Sequence, residues 1–154
     1  MNFTLPAKAR PFFKTMSEQR SPRWLMFDSW YVCTLAGLRT RLLGAKEALE
    51  DTYFIDSYPE DFKPQADFMA GLLIDSELNR KDIDVSDKAS VEREMILLLD
   101  PQKNTGLSEV GVELLNRYSV TGFEKLDEIM LPPATVEDFL VRYSEMWASD
   151  GLEG

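Results

Sequence analysis

The chain has 154 residues, no histidine and one cysteine, Cys33. A disulfide within the chain, an imidazole metal ligand and a histidine general base are therefore excluded. The glycines at 37, 44, 71, 106, 111, 122, 151 and 154 form neither G-x-G-x-x-G nor G-x-x-x-x-G-K-[ST], so a phosphate-cradling loop is missing. No Ser-x-x-Lys pair occurs. Long apolar runs are missing too: the uncharged stretch Ser29 to Leu38 has ten residues, and a bilayer-spanning helix needs about 20. The N-terminus lacks the apolar core of a signal peptide. With a lone thiol, these absences lead us to expect a cytoplasmic chain that does not enter membranes.

What is present is acid. Asp and Glu number 27 against 17 Lys and Arg, a formal charge of −10. Hydrophobic residues make up 44% and charged residues 29%, a globular balance that excludes full disorder. The length suits one domain with its own core, expected over 1–148 with a flexible tail at 149–154. The charge is uneven. In residues 1–46, Lys8, Arg10, Lys14, Arg20, Arg23, Arg39, Arg41 and Lys46 oppose only Glu18 and Asp28, a net +6, which leaves −16 for residues 47–154. Such asymmetry marks either a binding surface or two segments that pack on each other.

Apolar spacing is helical nearly throughout. A first helix is predicted over Ala7 to Gln19. Ser21-Pro22 reads as N-cap and first helical residue of a second, running to Leu43 and stopped by Gly44. Trp24, Phe27, Tyr31, Leu35, Leu38 and Leu42 recur at spacings of three and four, and Leu25, Met26, Trp30, Val32 and Cys33 extend the apolar surface around the helix. A helix apolar all round belongs in the middle of a bundle or in an interface. Glu47 to Tyr58 reads as a helical start passing into a loop, and Ser57 to Glu60 as a capping box before a helix carrying Phe68, Met69, Leu72, Leu73 and Leu78. After a polar loop from Asn79 to Lys88, a helix over Ala89 to Leu99 turns Val91, Met95, Leu98 and Leu99 inward and leaves Glu92, Arg93 and Glu94 wet. Asp100-Pro101 stops it. Leu107 to Ser119 is helical, the capping-box pattern Thr121 to Glu124 restarts a helix to Met130, and Pro132-Pro133 breaks it before a last helix capped by Thr135. These readings predict an all-α, single-domain bundle of five to seven helices around an apolar central helix at residues 22–43.

The chemistry is sparse. Cys33 sits among apolar neighbours and reads as a small buried hydrophobe. A di-iron site of the four-helix type requires histidine, and Asp82, Asp84 and Asp87 lack the glycine and final glutamate of a calcium loop. Neither a metal nor a cofactor is expected. Arg10, Phe12, Phe13, Lys14, Arg20, Arg23, Trp24, Trp30 and Tyr31 interleave bases with aromatics, as a nucleic-acid surface does, but a charge of −10 repels a polyanion.

Anchors for a protein partner are plentiful. The expected partner surface comprises Arg10, Phe12, Phe13, Lys14, Arg20 and Arg23, with Tyr143 and Trp147 as a second group. Glu124, Asp127 and Glu128 share a helical face and form an acidic surface. The expected function is a non-catalytic interaction module: a small acidic subunit or adaptor of a larger assembly that binds another protein or itself. One alternative is an acidic regulator or DNA-mimicking inhibitor of a nucleic-acid enzyme. The other is a carboxylate-based enzyme, which would require acids buried together.

Overall fold

The computed structural model describes the backbone of residues 2–153 and the side chains of residues 2–148; the tail expected at 149–154 lies outside the residues described in full. Six α-helices follow one another: α1 (Ala9–Ser17), α2 (Met26–Thr40), α3 (Ala66–Arg80), α4 (Lys88–Leu98), α5 (Glu109–Ile129) and α6 (Val136–Glu153). Short 3₁₀ segments lie at Lys46–Ala48 and Glu60–Gln65. No strand forms among the described residues. The N-terminal stretch runs beside residues 49–55 through isolated antiparallel bridges, Phe3 to Ile55 and Pro6 to Leu49. The chain is thus the all-helical bundle that the periodicity predicts.

α2 and α5 cross at its centre, and small residues let them approach. A β-carbon on Gly122 would overlap the Cys33 carbonyl oxygen, and one on Gly37 would overlap the Tyr118 carbonyl oxygen. Glycine at both positions brings backbone against backbone. Two apolar clusters flank the crossing. One collects Phe12, Phe13 and Met16 of α1, Val32, Cys33 and Ala36 of α2, Phe123 and Leu126 of α5, and Phe139 and Tyr143 of α6. The other collects Phe3, Leu5, Phe27, Trp30, Leu38, Met69, Leu73, Leu98, Leu115 and Tyr118. Facing both clusters explains why α2 is apolar nearly all round.

A buried amide ties the N-terminus to this centre. Asn116 Oδ1 accepts from the Trp30 indole N–H and the Thr4 backbone N–H, both at 3.0 Å. Its Nδ2 donates to the Asn2 carbonyl at 3.0 Å. Satisfied on both sides, Asn116 belongs in the core.

Several boundaries depart from the sequence reading. α2 begins at Met26, four residues after Pro22, because the Asp28 carboxylate accepts from the Leu25 backbone N–H at 2.7 Å and caps the helix there. Leu25 and Met26 are consequently exposed. α2 ends at Thr40, with Arg41 capping it in the left-handed region (φ 58°), rather than running to Leu43 and stopping at Gly44. Gly44 instead abuts α5: its N–H donates to the Arg117 carbonyl at 3.1 Å, and Arg117 Nε donates to the Gly44 carbonyl at 3.0 Å. Leu42, past the helix end, is exposed. α5 is one helix across the expected break. Thr121 is no N-cap there; its hydroxyl donates to the Tyr118 carbonyl at 2.9 Å within the same helix. Glu94, expected wet, is buried against Lys81, while Met95 is exposed. The Thr135 cap forms as expected, its hydroxyl oxygen accepting from the Asp138 N–H at 3.1 Å.

Candidate functional site

α1 is amphipathic. Ala9, Phe12, Phe13 and Met16 point inward, and Arg10, Lys14 and Ser17 share the opposite face at i, i+4 and i+7. Phe12 and Phe13 are 3% and 2% exposed, so they cannot serve as partner anchors. Phe12 meets Phe123 edge-on at 5.4 Å, and Phe13 meets Phe139 at 5.5 Å. Successive residues both fit inside because the apolar stripe of a core-facing helix spans about 100° or more.

The basic half of the segment does reach the surface. Between α1 and the start of α2 lies a cleft of about 260 Å³. Arg10, Lys14 and Ser17 form one wall, Leu25 and Met26 the other, and Phe13 and Trp24 contribute to the floor. The Trp24 indole N–H donates to the Ser29 hydroxyl at 2.8 Å, which fixes that ring. The connection between the helices is anchored: the Gln19 side-chain amide donates to the Ser21 carbonyl at 2.8 Å, and its oxygen accepts from the Val136 N–H at 2.9 Å. Ser21, Pro22 and the arginines Arg20 and Arg23 are exposed on it.

The structure divides the basic N-terminal charge in two. Arg10 grips Glu50 with one guanidinium edge, Nε and Nη2 donating at 2.5 and 3.0 Å. Arg41 pairs with Asp75 at 3.2 Å, and Lys46 with Glu113 at 3.0 Å. Lys8, Lys14, Arg20 and Arg23 make no ion pair among the described residues. Part of the segment is neutralised by the acidic remainder, and of the bases without ion pairs Lys14 lines the cleft.

Tyr143 is buried and Trp147 partly buried, and both make contacts within the molecule. The Tyr143 hydroxyl donates to the Val32 carbonyl at 2.8 Å, and Trp147 meets Tyr143 edge-on at 5.6 Å. The Arg39 guanidinium lies 4.7 Å from the centre of the Trp147 ring, a cation–π contact. Both aromatics fasten α6 to α2. Glu124, Asp127 and Glu128 are exposed near the C-terminal end of α5, where the helix dipole is negative and the last turn carries no base.

Buried carboxylates exist but do not converge. Glu77 has no exposed side-chain surface and binds Arg80 through two 2.7 Å hydrogen bonds, while the Tyr118 hydroxyl donates to it at 2.6 Å. Glu94 takes Lys81 at 2.8 and 3.0 Å. Burial pushes the Cys33 thiol well above its ordinary range. Among the described residues no group of three or more Cys, Asp or Glu side chains is placed to hold a metal, and no helix is long and apolar enough to cross a membrane.

Comparison with family models, with curated proteins and with solved structures finds no match to this chain. The site therefore rests on its own geometry. The sequence pattern located the basic segment but not which of its residues face out. It also gave no sign of Glu77, Asn116 or the Arg39–Trp147 contact, which depend on partners distant in the chain.

Proposed function

We propose that this chain is a non-catalytic interaction module, a small acidic subunit or adaptor of a larger assembly. Its docking surface is the α1 cleft with Lys14, Arg20 and Arg23 around it. The partner it fits is a protein segment bearing carboxylates and one apolar side chain. The carboxylates would meet the bases, and the apolar side chain would enter between Leu25, Met26 and the stem of Lys14. The observation that carries this reading is a cleft with exposed apolar walls lined by Lys14, which makes no ion pair, with Arg20 and Arg23 exposed and without ion pairs on the connection between α1 and α2, on a chain whose net charge is −10. Local positive charge on an acidic molecule steers an acidic ligand to one place.

The test is charge reversal. Lys14→Glu, Arg20→Glu and Arg23→Glu together alter exposed side chains without ion pairs, so the fold should persist. A partner recovered stoichiometrically with the wild-type chain at low salt should be lost with the triple variant, and from the wild type at high salt. Equal recovery by the variant contradicts the proposal.

The acidic-regulator reading draws support from a separate observation. Glu124, Asp127 and Glu128 are exposed where the dipole of α5 opposes them, so helix stability does not account for their placement. Charge reversal at these three separates the readings. It leaves cleft-mediated binding unchanged and abolishes binding in which the carboxylates occupy a basic groove.

A further inference from the structure

The partner proposed for the α1 cleft is a segment with carboxylates and one apolar side chain, and the chain itself carries such a segment. The loop between α3 and α4, Asp82 to Asp87, holds three aspartates, Asp82, Asp84 and Asp87, and no base. All three are exposed and make no ion pair among the described residues. Val85 stands among them with 76% of its surface exposed. The loop is held in shape. Asp84 Oδ1 accepts from the Ser86 N–H and hydroxyl, both at 2.9 Å, and the Asp87 carboxylate caps α4, accepting from the Ser90 N–H at 3.2 Å. Lys81, just before the loop, is committed to Glu94. Counting Lys88, which opens α4, the segment is three acids against one base.

Cleft and loop lie at opposite ends of the molecule. α2 starts at the cleft, where Leu25 and Met26 line it, and runs for about 22 Å at 1.5 Å per residue. α3 lies beside it and runs the same way. Phe62, just before α3, meets Phe27 at the start of α2 at 4.6 Å, and the Ser76 hydroxyl donates to the Leu38 carbonyl near the end of α2 at 2.9 Å. The loop follows α3 and so lies beyond the far end of α2. While the fold holds, a chain cannot fill its own cleft with this loop. A second copy can.

We propose that the occupant of the α1 cleft is the Asp82 to Asp87 loop of a second copy of this chain. Val85 enters between Leu25, Met26 and the stem of Lys14, and the aspartates face Lys14, Arg20 and Arg23. Complementary charge at the two ends orients the encounter. The charge of −10 on each copy does not prevent it, because charges farther apart than about 8 Å are largely screened at physiological ionic strength. The contact joins two different surfaces, so each copy keeps one cleft and one loop to offer, and assembly continues as an open chain or closes into a ring. One apolar side chain and a few charges make a small interface, which gives a weak, reversible contact. The inference rests on the reading of the α1 cleft as a docking surface and names its partner.

The test is analytical ultracentrifugation of the full chain at physiological salt. The wild type should grow with concentration past a dimer, with Kd below about 1 mM. Two variants each disable one side. Lys14→Glu, Arg20→Glu and Arg23→Glu together disable the cleft, and Asp82→Asn, Asp84→Asn and Val85→Ser together disable the loop. Asparagine suits the left-handed backbone at position 82 and keeps the turn at position 84, and circular dichroism checks that both variants retain their helices. Each variant alone should stay monomeric. Mixed, they should form a one-to-one dimer and nothing larger, because the pair has one intact cleft and one intact loop. A wild type that stays monomeric up to about 1 mM, association that survives in either variant alone, or a mixture that forms no dimer would each overturn the proposal. Recovery from native-cell extract separates this failure from failure of the cleft itself. If the wild type is monomeric yet captures a different protein that the cleft variant loses, self-docking is overturned and the cleft remains a docking surface.

Discussion

Glu77 is a charged group without contact with water, and its partners explain how it is kept. Burial pushes its carboxyl up, but hydrogen bonds from Arg80 and Tyr118 and the charges of Arg80 and Lys81 outweigh that push and hold it below its ordinary value of 4.5. A carboxyl lowered in the folded state adds stability that is complete above its unfolded value and is lost as pH falls through the folded one. Glu77→Gln should therefore destabilise the fold by about 1–3 kcal/mol at pH 7. The difference from wild type, followed by urea unfolding, should shrink as pH drops below 4.5. A constant difference from pH 7 to pH 3 would contradict this account. Cys33 gives a second prediction. Fully buried and with its thiol pushed up, it should resist a thiol reagent in the native chain and react on unfolding. The buried state of Cys33 is legible from its apolar neighbours in sequence. That of Glu77 is not, because Tyr118 lies 41 residues away and nothing near Glu77 announces it.

Among the elements, α2 and α5 depend on glycine where they cross. Gly37→Ala and Gly122→Ala should each cost about 2 kcal/mol or more, because the new β-carbon meets backbone that cannot yield without parting the helices. Gly71→Ala is the control. It lies in α3 with nothing within 4 Å of the added carbon, so the usual helical preference for alanine should raise stability by about 0.5–1 kcal/mol. Opposite signs in thermal unfolding check the crossing. Glu128→Lys, placing a base at the negative end of α5, should add about 0.3–1 kcal/mol at low salt. The helices themselves were legible from apolar spacing, while their ends were less so. Thr121 to Glu124 matches a capping box and also fits a continuous helix. The choice is made by Gly122 packing on Cys33 and Gly37, a tertiary contact that local pattern does not encode. Ser21-Pro22 matches a helix start, yet Asp28 caps Leu25 instead.

On the scale of the whole molecule, the two apolar clusters on either side of the α2–α5 crossing absorb most of the aromatics that a sequence reader would assign to an interface. Phe12, Phe13, Tyr143 and Trp147 hold α1 and α6 to the bundle. Phe12→Ala with Phe13→Ala would therefore damage the core and could not report on docking. Bases remain at the surface because no acid of the same chain reaches Lys8, Lys14, Arg20 or Arg23 among the described residues. The charge asymmetry was legible as a sum, and its division between internal pairs and an open cleft required the fold.

Zero-length cross-linking with a carbodiimide, which couples a carboxylate to an amine, in extract of the native cell, read by mass spectrometry, tests the docking surface directly, since Lys14 stands on the wall of the cleft. The account predicts that Lys14 is joined to an acidic segment of one partner protein, and that the link disappears when Arg20 and Arg23 are reversed in charge. Links to that partner only from lysines remote from the cleft, undiminished by those substitutions, would contradict it.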